Sequence, residues 1–199
     1  WQSSLWGLAR SARSEHPTLG LRTIDLDATA TDPALFLAAL VSGGEPELAL
    51  RGAALRAPRL VHAQLDDAVA TEPQVPGEGT LLITGGLGGL GVHTARWLVA
   101  RGAQRLLLTS RRGPQDPRAA EVIAELTALG AEVQVAACDV GDRAALSRLL
   151  ETLPESAPLR GVVHCAAVID DGLLPDQSAE RLERTMGPRV WGAWNLHEL

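Results

Sequence analysis

Thr80-Leu81-Leu82-Ile83-Thr84-Gly85-Gly86-Leu87-Gly88-Gly89-Leu90-Gly91 decides how this chain folds. Thr80–Ile83 is a short apolar run that ends in glycines, as a parallel strand buried on both faces does. Over 89–101, Leu90, Thr94, Trp97 and Leu98 recur at helical spacing, and Gly102 stands where a helix-ending glycine is expected. Between strand and helix, Gly85, Gly89 and Gly91 form a Gly-x3-Gly-x-Gly spacing, with Gly86 and Gly88 adding freedom. Such a turn binds phosphate for a physical reason. The first N–H groups of a helix are unpaired, the helix dipole adds partial positive charge there, and glycine lets the backbone come close to the anion. The context of strand before and helix after separates this turn from a merely flexible glycine loop.

Outward from the turn, strands and helices alternate. Arg105–Thr109 is predicted as a strand, Pro117–Leu129 as a helix closed by Gly130, and Glu132–Ala137 as a strand. Asp142–Thr152 is predicted as a helix capped by Asp142, and Leu159–Cys165 as a fourth strand. Ser178–Thr185 and Val190–Leu199 follow as helices, with Gly187-Pro188 breaking between them. The fold class is therefore α/β, a Rossmann-like doubly wound parallel sheet, incomplete in this chain. The Pro/Gly-rich stretch 72–79 reads as a linker between residues 1–71 and 80–199. The first part is less periodic. It suggests helices at Leu5–Glu15 and Pro33–Val41, a strand at Leu21–Leu26, and two short strands at Leu48–Leu50 and Ala54–Leu60 around Arg51-Gly52. It carries no glycine-rich phosphate turn.

Composition excludes several functions. The net charge of −6 argues against a nucleic-acid footprint, which needs a basic face. No apolar run approaches the roughly 20 residues of a membrane helix. The N-terminus has neither the basic stretch nor the apolar core of a signal peptide, so the expected location is the cytoplasm. Cys138 and Cys165 read as small buried thiols. His93, His164 and His197 fit no ligand spacing, so no metal site is expected. All 18 basic residues are Arg, and Tyr is absent. A starting Met is absent too, which suggests a piece of a longer chain.

The second strand ends in Ser110-Arg111-Arg112-Gly113. An acidic residue there would bind the ribose hydroxyls of NAD and repel a 2′-phosphate. An Arg holds that phosphate through charge-assisted hydrogen bonds. The predicted cofactor is therefore NADP(H). Cys138-Asp139-Val140 ends the third strand at the same sheet edge, where Asp139 can accept from the adenine amino group. The alternative for Asp139 is a helix-capping role before Asp142-Arg143.

Together these residues resemble the ketoreductase domain of modular polyketide synthases, within the short-chain dehydrogenase/reductases. The matching stretches run from Leu5-Trp6-Gly7-Leu8-Ala9-Arg10, Glu15-His16-Pro17 and Ile24-Asp25-Leu26 through the glycine turn, Ser110–Gly113 and Cys138–Val140. They end with His164-Cys165-Ala166-Ala167 and Gly192-Ala193-Trp194-Asn195-Leu196-His197-Glu198-Leu199. The resemblance implies that residues 1–71 are a truncated Rossmann-like structural subdomain, and that 80–199 are the NADP(H)-binding part of a catalytic subdomain. It implies NADPH bound by Thr84, Gly85, Gly86, Leu87, Gly88, Gly89, Leu90, Gly91, Ser110, Arg111, Arg112, Gly113, Asp139, Val140, Ala166 and Ala167. It also implies partners: an acyl carrier protein with its β-ketoacyl chain, and other domains of the same synthase.

The family's reaction reduces a β-ketoacyl thioester to a β-hydroxyacyl thioester, using a Tyr, Ser, Asn and Lys. The first three are expected beyond Leu199, so the chain alone is expected to be inactive. The family Lys lies in Pro-Lys-Val, and this chain has Pro188-Arg189-Val190. Arg189 keeps the charge but does not deprotonate. Ile169-Asp170-Asp171 resembles the Leu-Asp-Asp signature of B-type ketoreductases, in which the second Asp, here Asp171, is associated with a D-configured hydroxyl. Ile replaces Leu in that signature, and Ala167 stands where the family usually has Gly. Two readings stay open: the cofactor half of an active ketoreductase, or a degenerate module that is structural. A free-standing dehydrogenase fits poorly with the long N-terminal part.

Overall fold

The computed structural model describes residues 3–27, 32–63 and 75–199. They form two compact units, each treated by itself below. The first takes its residues from 1–70 together with Gly172–Asp176, and the second from Thr71–Asp171 with Gln177–Leu199. The return of Gly172–Asp176 to the first unit is not visible in the sequence pattern. Trp1 and residues 72–74 of the expected linker lie outside the described residues.

The first unit contains helix α1 (Ser3–Glu15), strand β1 (Thr23–Leu26), helix α2 (Pro33–Val41) and strands β2 (Glu47–Arg51) and β3 (Ala54–Arg56). β1 pairs parallel with β2, and β2 pairs antiparallel with β3 through a hairpin whose Gly52 sits at φ +56°. Its core gathers Ala39, Leu48 and Leu50, with Ile24, Leu35 and Phe36 against them. Glu47 is buried at the start of β2. Its carboxylate accepts two hydrogen bonds of 2.7 Å from Arg10 and a further one from Arg13. Leu174 N–H donates to Glu15 Oε2 at 2.7 Å, which ties Gly172–Asp176 to the end of α1.

The second unit holds strand β4 (Thr80–Thr84), helix α3 (Gly89–Ala100), strand β5 (Arg105–Ser110), helix α4 (Ala119–Ala128), strand β6 (Glu132–Ala137) and helix α5 (Arg143–Glu151). Strand β7 (Leu159–His164) and helices α6 (Ala179–Met186) and α7 (Gly192–Glu198) complete it. The sheet is parallel throughout, in the order β6-β5-β4-β7. Every residue of β4 is buried, as a central strand covered on both faces requires. Leu81, Ile83, Leu106 and Leu108 point to one face and pack with Val92, Ala95 and Leu98 of α3 and Val122 and Leu126 of α4. Leu82 and Leu107 point the other way and are also buried. Each fully buried Leu contributes roughly 2 kcal/mol, so this sheet is a rigid platform for the loops at its edge.

Two sequence expectations need correction. The buried stripe of α3 is Gly91, Val92, Ala95 and Leu98, whereas Leu90 is 67% exposed and Trp97 37%. Small residues replace large ones on the inner face because α3 starts hard against the glycine turn. The helix also does not break at Gly187-Pro188. It widens into a π turn over Gly187–Trp191 and runs on into α7. Pro188 lacks an N–H, and its ring would crowd the carbonyl of the preceding turn. A wider turn relieves both conflicts without ending the helix.

Candidate nucleotide-binding site

The chain leaves β4 toward β5 and β6 on one side, then returns to the other side as β7. The crevice at this reversal, outside the C-terminal strand ends, is where open α/β sheets bind ligands. A cavity of about 550 Å³ lies there. Gly85, Gly88, Ser110, Arg111, Asp139, Val140, Ala166 and Ala167 line it. These eight predicted site residues come from the ends of all four strands. The remaining predicted residues do not line it.

The turn is locked from behind. Gly85 has φ +63°, and a Cβ there would come within 2.8 Å of the Cys165 carbonyl. Gly86 N–H donates to Thr109 O at 2.9 Å, and Gly88 N–H to Gly85 O at 2.8 Å. Leu87 is a core residue, 1% exposed. Gly91 packs its Cα side on the Gly85 carbonyl, where a Cβ would come within 2.3 Å. Gly89 differs, because a Cβ there would meet nothing within 4 Å. The first backbone bond of α3 runs from Val92 N–H to Gly88 O at 2.9 Å. The N–H groups of Gly89, Leu90 and Gly91 find no acceptor among the described residues, and no side chain caps the helix. The turn thus presents unpaired donors, the helix dipole and open space on one side, which fits a pyrophosphate.

At the end of β5, Ser110 Oγ accepts from Gly113 N–H at 2.9 Å and shapes the following turn. Gly113, at φ +52°, lies against Ala137, where a Cβ would come within 2.4 Å. Both residues therefore build the turn, and only Ser110 also lines the cavity. Arg111 lines it and has no hydrogen bond or ion pair among the described residues. Arg112 stands outside the lining. Its Nε and Nη2 donate to Asp116 Oδ2 at 3.2 and 2.7 Å. Asp116 is buried, and its carboxyl is held below the usual carboxylate range by the backbone N–H of Arg118 and then by Arg112. Asp139 lines the cavity, and its Oδ1 accepts from Gly141 N–H at 2.9 Å. The cap of α5 is Asp142, which accepts from Ala145 N–H at 3.0 Å. Burial and then the charges of Asp139 and Asp142 push the Cys138 thiol up, so it stays protonated and poorly reactive.

At the end of β7, His164 joins three elements. Its Nε2 lies 2.9 Å from Pro188 O, which only accepts, so Nε2 carries a proton. In the neutral ring Nδ1 then accepts from Thr84 Oγ1 at 2.6 Å. Thr84 Oγ1 in turn accepts from Ala166 N–H at 3.3 Å. This chain ties the glycine turn to the π turn that carries Arg189. Arg189 itself is exposed and outside the lining, although Pro188 and Trp191 line the cavity. Ile169, Asp170 and Asp171 also stand outside it. Ile169 is 76% exposed. Asp170 is clamped by Arg181 at 2.8 Å and Arg184 at 2.7 Å, and Arg181 Nη2 also donates to Asp171 O at 2.7 Å. The Asp171 carboxylate is left exposed.

The KR domain family model matches residues 79–199, the whole of the sheet that carries this cavity. The chain belongs to the KR domain family. Residues 1–60 match the Rossmann fold domain of the polyketide synthase extender module SpnB. Similar proteins include the spectinabilin polyketide synthase system protein NorA′ of Streptomyces orinoci, 47% identical over 99% of this chain and 5% of that protein. The pikromycin polyketide synthase component PikAIII of Streptomyces venezuelae is 42% identical over 100% of this chain and 13% of that protein. An A-type ketoreductase structure from a modular polyketide synthase superposes with a TM-score of 0.89 at 44% identity, covering 99% of this chain and 42% of that one. The first ketoreductase of the tylosin synthase gives 0.86 at 41%, covering 98% and 41%. The chain thus spans a small part of the synthases and about two-fifths of the solved ketoreductase chains. KR domains of this kind are Rossmann-fold modules of large multidomain synthases that bind nicotinamide cofactors.

Sequence reasoning missed several residues of this KR domain's cavity. Arg118, Glu183, Arg184 and Trp191 all line it. Arg118 immediately precedes α4, which begins at Ala119 and not at the expected Pro117, and no motif marks it. Glu183 and Arg184 lie on α6 and Trp191 ends the π turn, far in sequence from the glycine turn. Both cysteines also line it. Among the described residues no group of three or more His, Cys, Asp and Glu could hold a metal, and no helix is long and apolar enough to cross a membrane.

Proposed function

We propose that this chain holds NADPH for the reduction of a β-ketoacyl thioester, carried on an acyl carrier protein, to the β-hydroxyacyl thioester. The observation that carries this reading is the single cavity joining the glycine turn to Ser110-Arg111, Asp139-Val140 and Ala166-Ala167. The first turn of α3 would hold the pyrophosphate over Gly89. Arg111 would take the 2′-phosphate, Asp139 the adenine amino group, and Ala166-Ala167 the ribose beyond. The cofactor, when bound, supplies the hydride. Residues 1–71 serve as the structural subdomain, 72–79 as the linker, and 80–199 as the cofactor-binding part.

The ketone oxygen needs a proton as it becomes an alkoxide, and the resemblance places that role on a Tyr. No Tyr occurs in these 199 residues, so this chain's part is to bind and orient. Arg189 would stabilise a phenolate by charge. It would not relay a proton. Asp171, exposed on a loop whose neighbours are clamped, is free to meet the arriving acyl chain, and with Ile169 and Asp170 it supports a B-type product of D configuration. The opposite configuration from the parent module would reject that assignment.

The degenerate, structural alternative rests on Arg189, which replaces the family Lys and lies outside the cavity lining. The deciding measurement is NADPH oxidation by the parent synthase module with a β-ketoacyl thioester. Thioester-dependent oxidation is expected. Cofactor binding without oxidation would instead support the structural role.

A further inference from the structure

The anion-binding end of the cavity is not built as the Ser-Arg-Arg sequence suggests. Arg111 and Arg118 line it together, and Arg112 does not. Asp116 explains the exchange. It is buried between Arg112 and Arg118, and its Oδ2 takes both donors on one edge of Arg112. That fork fixes the Arg112 guanidinium in a turn of the backbone. Asp116 Oδ1 instead accepts the backbone N–H of Arg118 at 3.1 Å. The Arg118 guanidinium lies 3.6 Å from the same carboxylate, close enough for attraction but beyond hydrogen-bond distance. Its side chain is 54% exposed, and its donors find no acceptor within bonding distance among the described residues.

We infer that Arg118, paired with Arg111, is the second residue that recognises the 2′-phosphate, and that Asp116 withholds Arg112 from that role. This rests on the NADP(H) reading above. A phosphate dianion seated between Arg111 and Arg118 meets two guanidinium groups from opposite ends of the turn, each able to donate two hydrogen bonds. Asp116 cancels one positive charge of the three, and its two bonds leave Arg118 aimed by the helix start alone. The ribose hydroxyl of NADH offers no charge to either residue, so their effect is confined to the phosphorylated cofactor.

The test uses the 199-residue chain, titrated with NADPH and with NADH by the change in nucleotide emission. Circular dichroism of each variant checks folding. Arg118→Ala keeps the backbone bond to Asp116 and is expected to weaken NADPH about fivefold, a loss of about 1 kcal/mol for a half-exposed pair, with NADH unchanged. Arg118→Lys should recover part of the loss. Arg112→Lys, which leaves a cation on Asp116, should change both affinities less than twofold. The inference is overturned if Arg118→Ala spares the NADPH preference, and in that case the NADP(H) reading survives. Equal binding of both nucleotides by the unsubstituted chain, or no binding of either, overturns both.

Discussion

Replacing Gly89 or Gly91 by Ala separates what the glycine turn does for the fold from what it does for a ligand. The two residues are neighbours in one motif, yet their surroundings differ. A Cβ on Gly91 would come within 2.3 Å of Gly85 O, 2.7 Å of Gly86 Cα and 2.9 Å of Gly86 C. All three are backbone atoms. They cannot retreat, because Gly86 N–H is bonded to Thr109 O and a Cβ on Gly86 would already press Leu108 at 2.7 Å. Such overpacking costs about 2 kcal/mol. A Cβ on Gly89 meets nothing within 4 Å. Ala there restricts the unfolded chain and favours the helix, a gain of about 0.5 kcal/mol. Its methyl group, however, enters open space at the helix start, where the pyrophosphate is proposed to lie. Losing one or two charge-assisted bonds weakens a phosphate by about 2 kcal/mol, or roughly thirtyfold in affinity. Urea unfolding and NADPH titration of both variants check this. Gly91→Ala should lower the unfolding midpoint by about 1 M. Gly89→Ala should hold or raise it while losing most of its NADPH affinity. Full NADPH affinity in Gly89→Ala would refute the placement of the pyrophosphate. An unchanged midpoint in Gly91→Ala would refute the packing argument.

Four further outcomes are expected. His164→Ala removes the bonds to Thr84 and Pro188 and should destabilise the second unit by about 2 kcal/mol in chemical denaturation. Asn195→Ala strips the donors from Val140 O and Gly141 O, bonded at 2.9 and 3.1 Å. It should cost about 2 kcal/mol and weaken NADPH, since Val140 and Gly141 line the cavity. The Asp116 carboxyl titrates below its ordinary range in the folded chain. Its stabilisation is therefore present above the ordinary carboxylate pKa and is lost as pH falls through the lowered folded value. Acid unfolding of Asp116→Asn should accordingly depend less on pH below about 4 than that of the unsubstituted chain. Arg189→Lys in the parent synthase module should raise turnover about tenfold, as a relay Lys replaces a fixed charge. Unchanged kcat would remove this position from the chemistry.

The positions of most elements were legible because their signals are local. Pro33–Val41 and Glu132–Ala137 match their predicted bounds, and Asp142 and Ser178 cap helices from the positions a capping side chain requires. The inner stripe of α3 was misread because Leu90 and Trp97 carry the apolar signal, while the turn demands small residues against Gly85 and Gly86. The continuous path from α6 to α7 was misread because Pro188 signals a break, and a π turn answers the same steric conflict without one. Just after β5, the run Arg111-Arg112 offers two equivalent cations. Nothing in their order tells which one a buried carboxylate four residues on will claim.

What the sequence determined by itself is the parallel sheet, its glycine turn and the absence of an acidic residue after the second strand. These follow from strand length, glycine spacing and charge sign within a few neighbouring residues. What only the tertiary structure decided is which side chains share one cavity. Arg118 and Trp191 enter it, while Arg112, Arg189 and Asp171 stand outside its lining. The physical reason is that cavity membership depends on distances across strands and on competing ion pairs. His164 between Thr84 and Pro188 joins parts of the chain that no local pattern connects, and only packing buries Asp116 against Arg112 and Arg118.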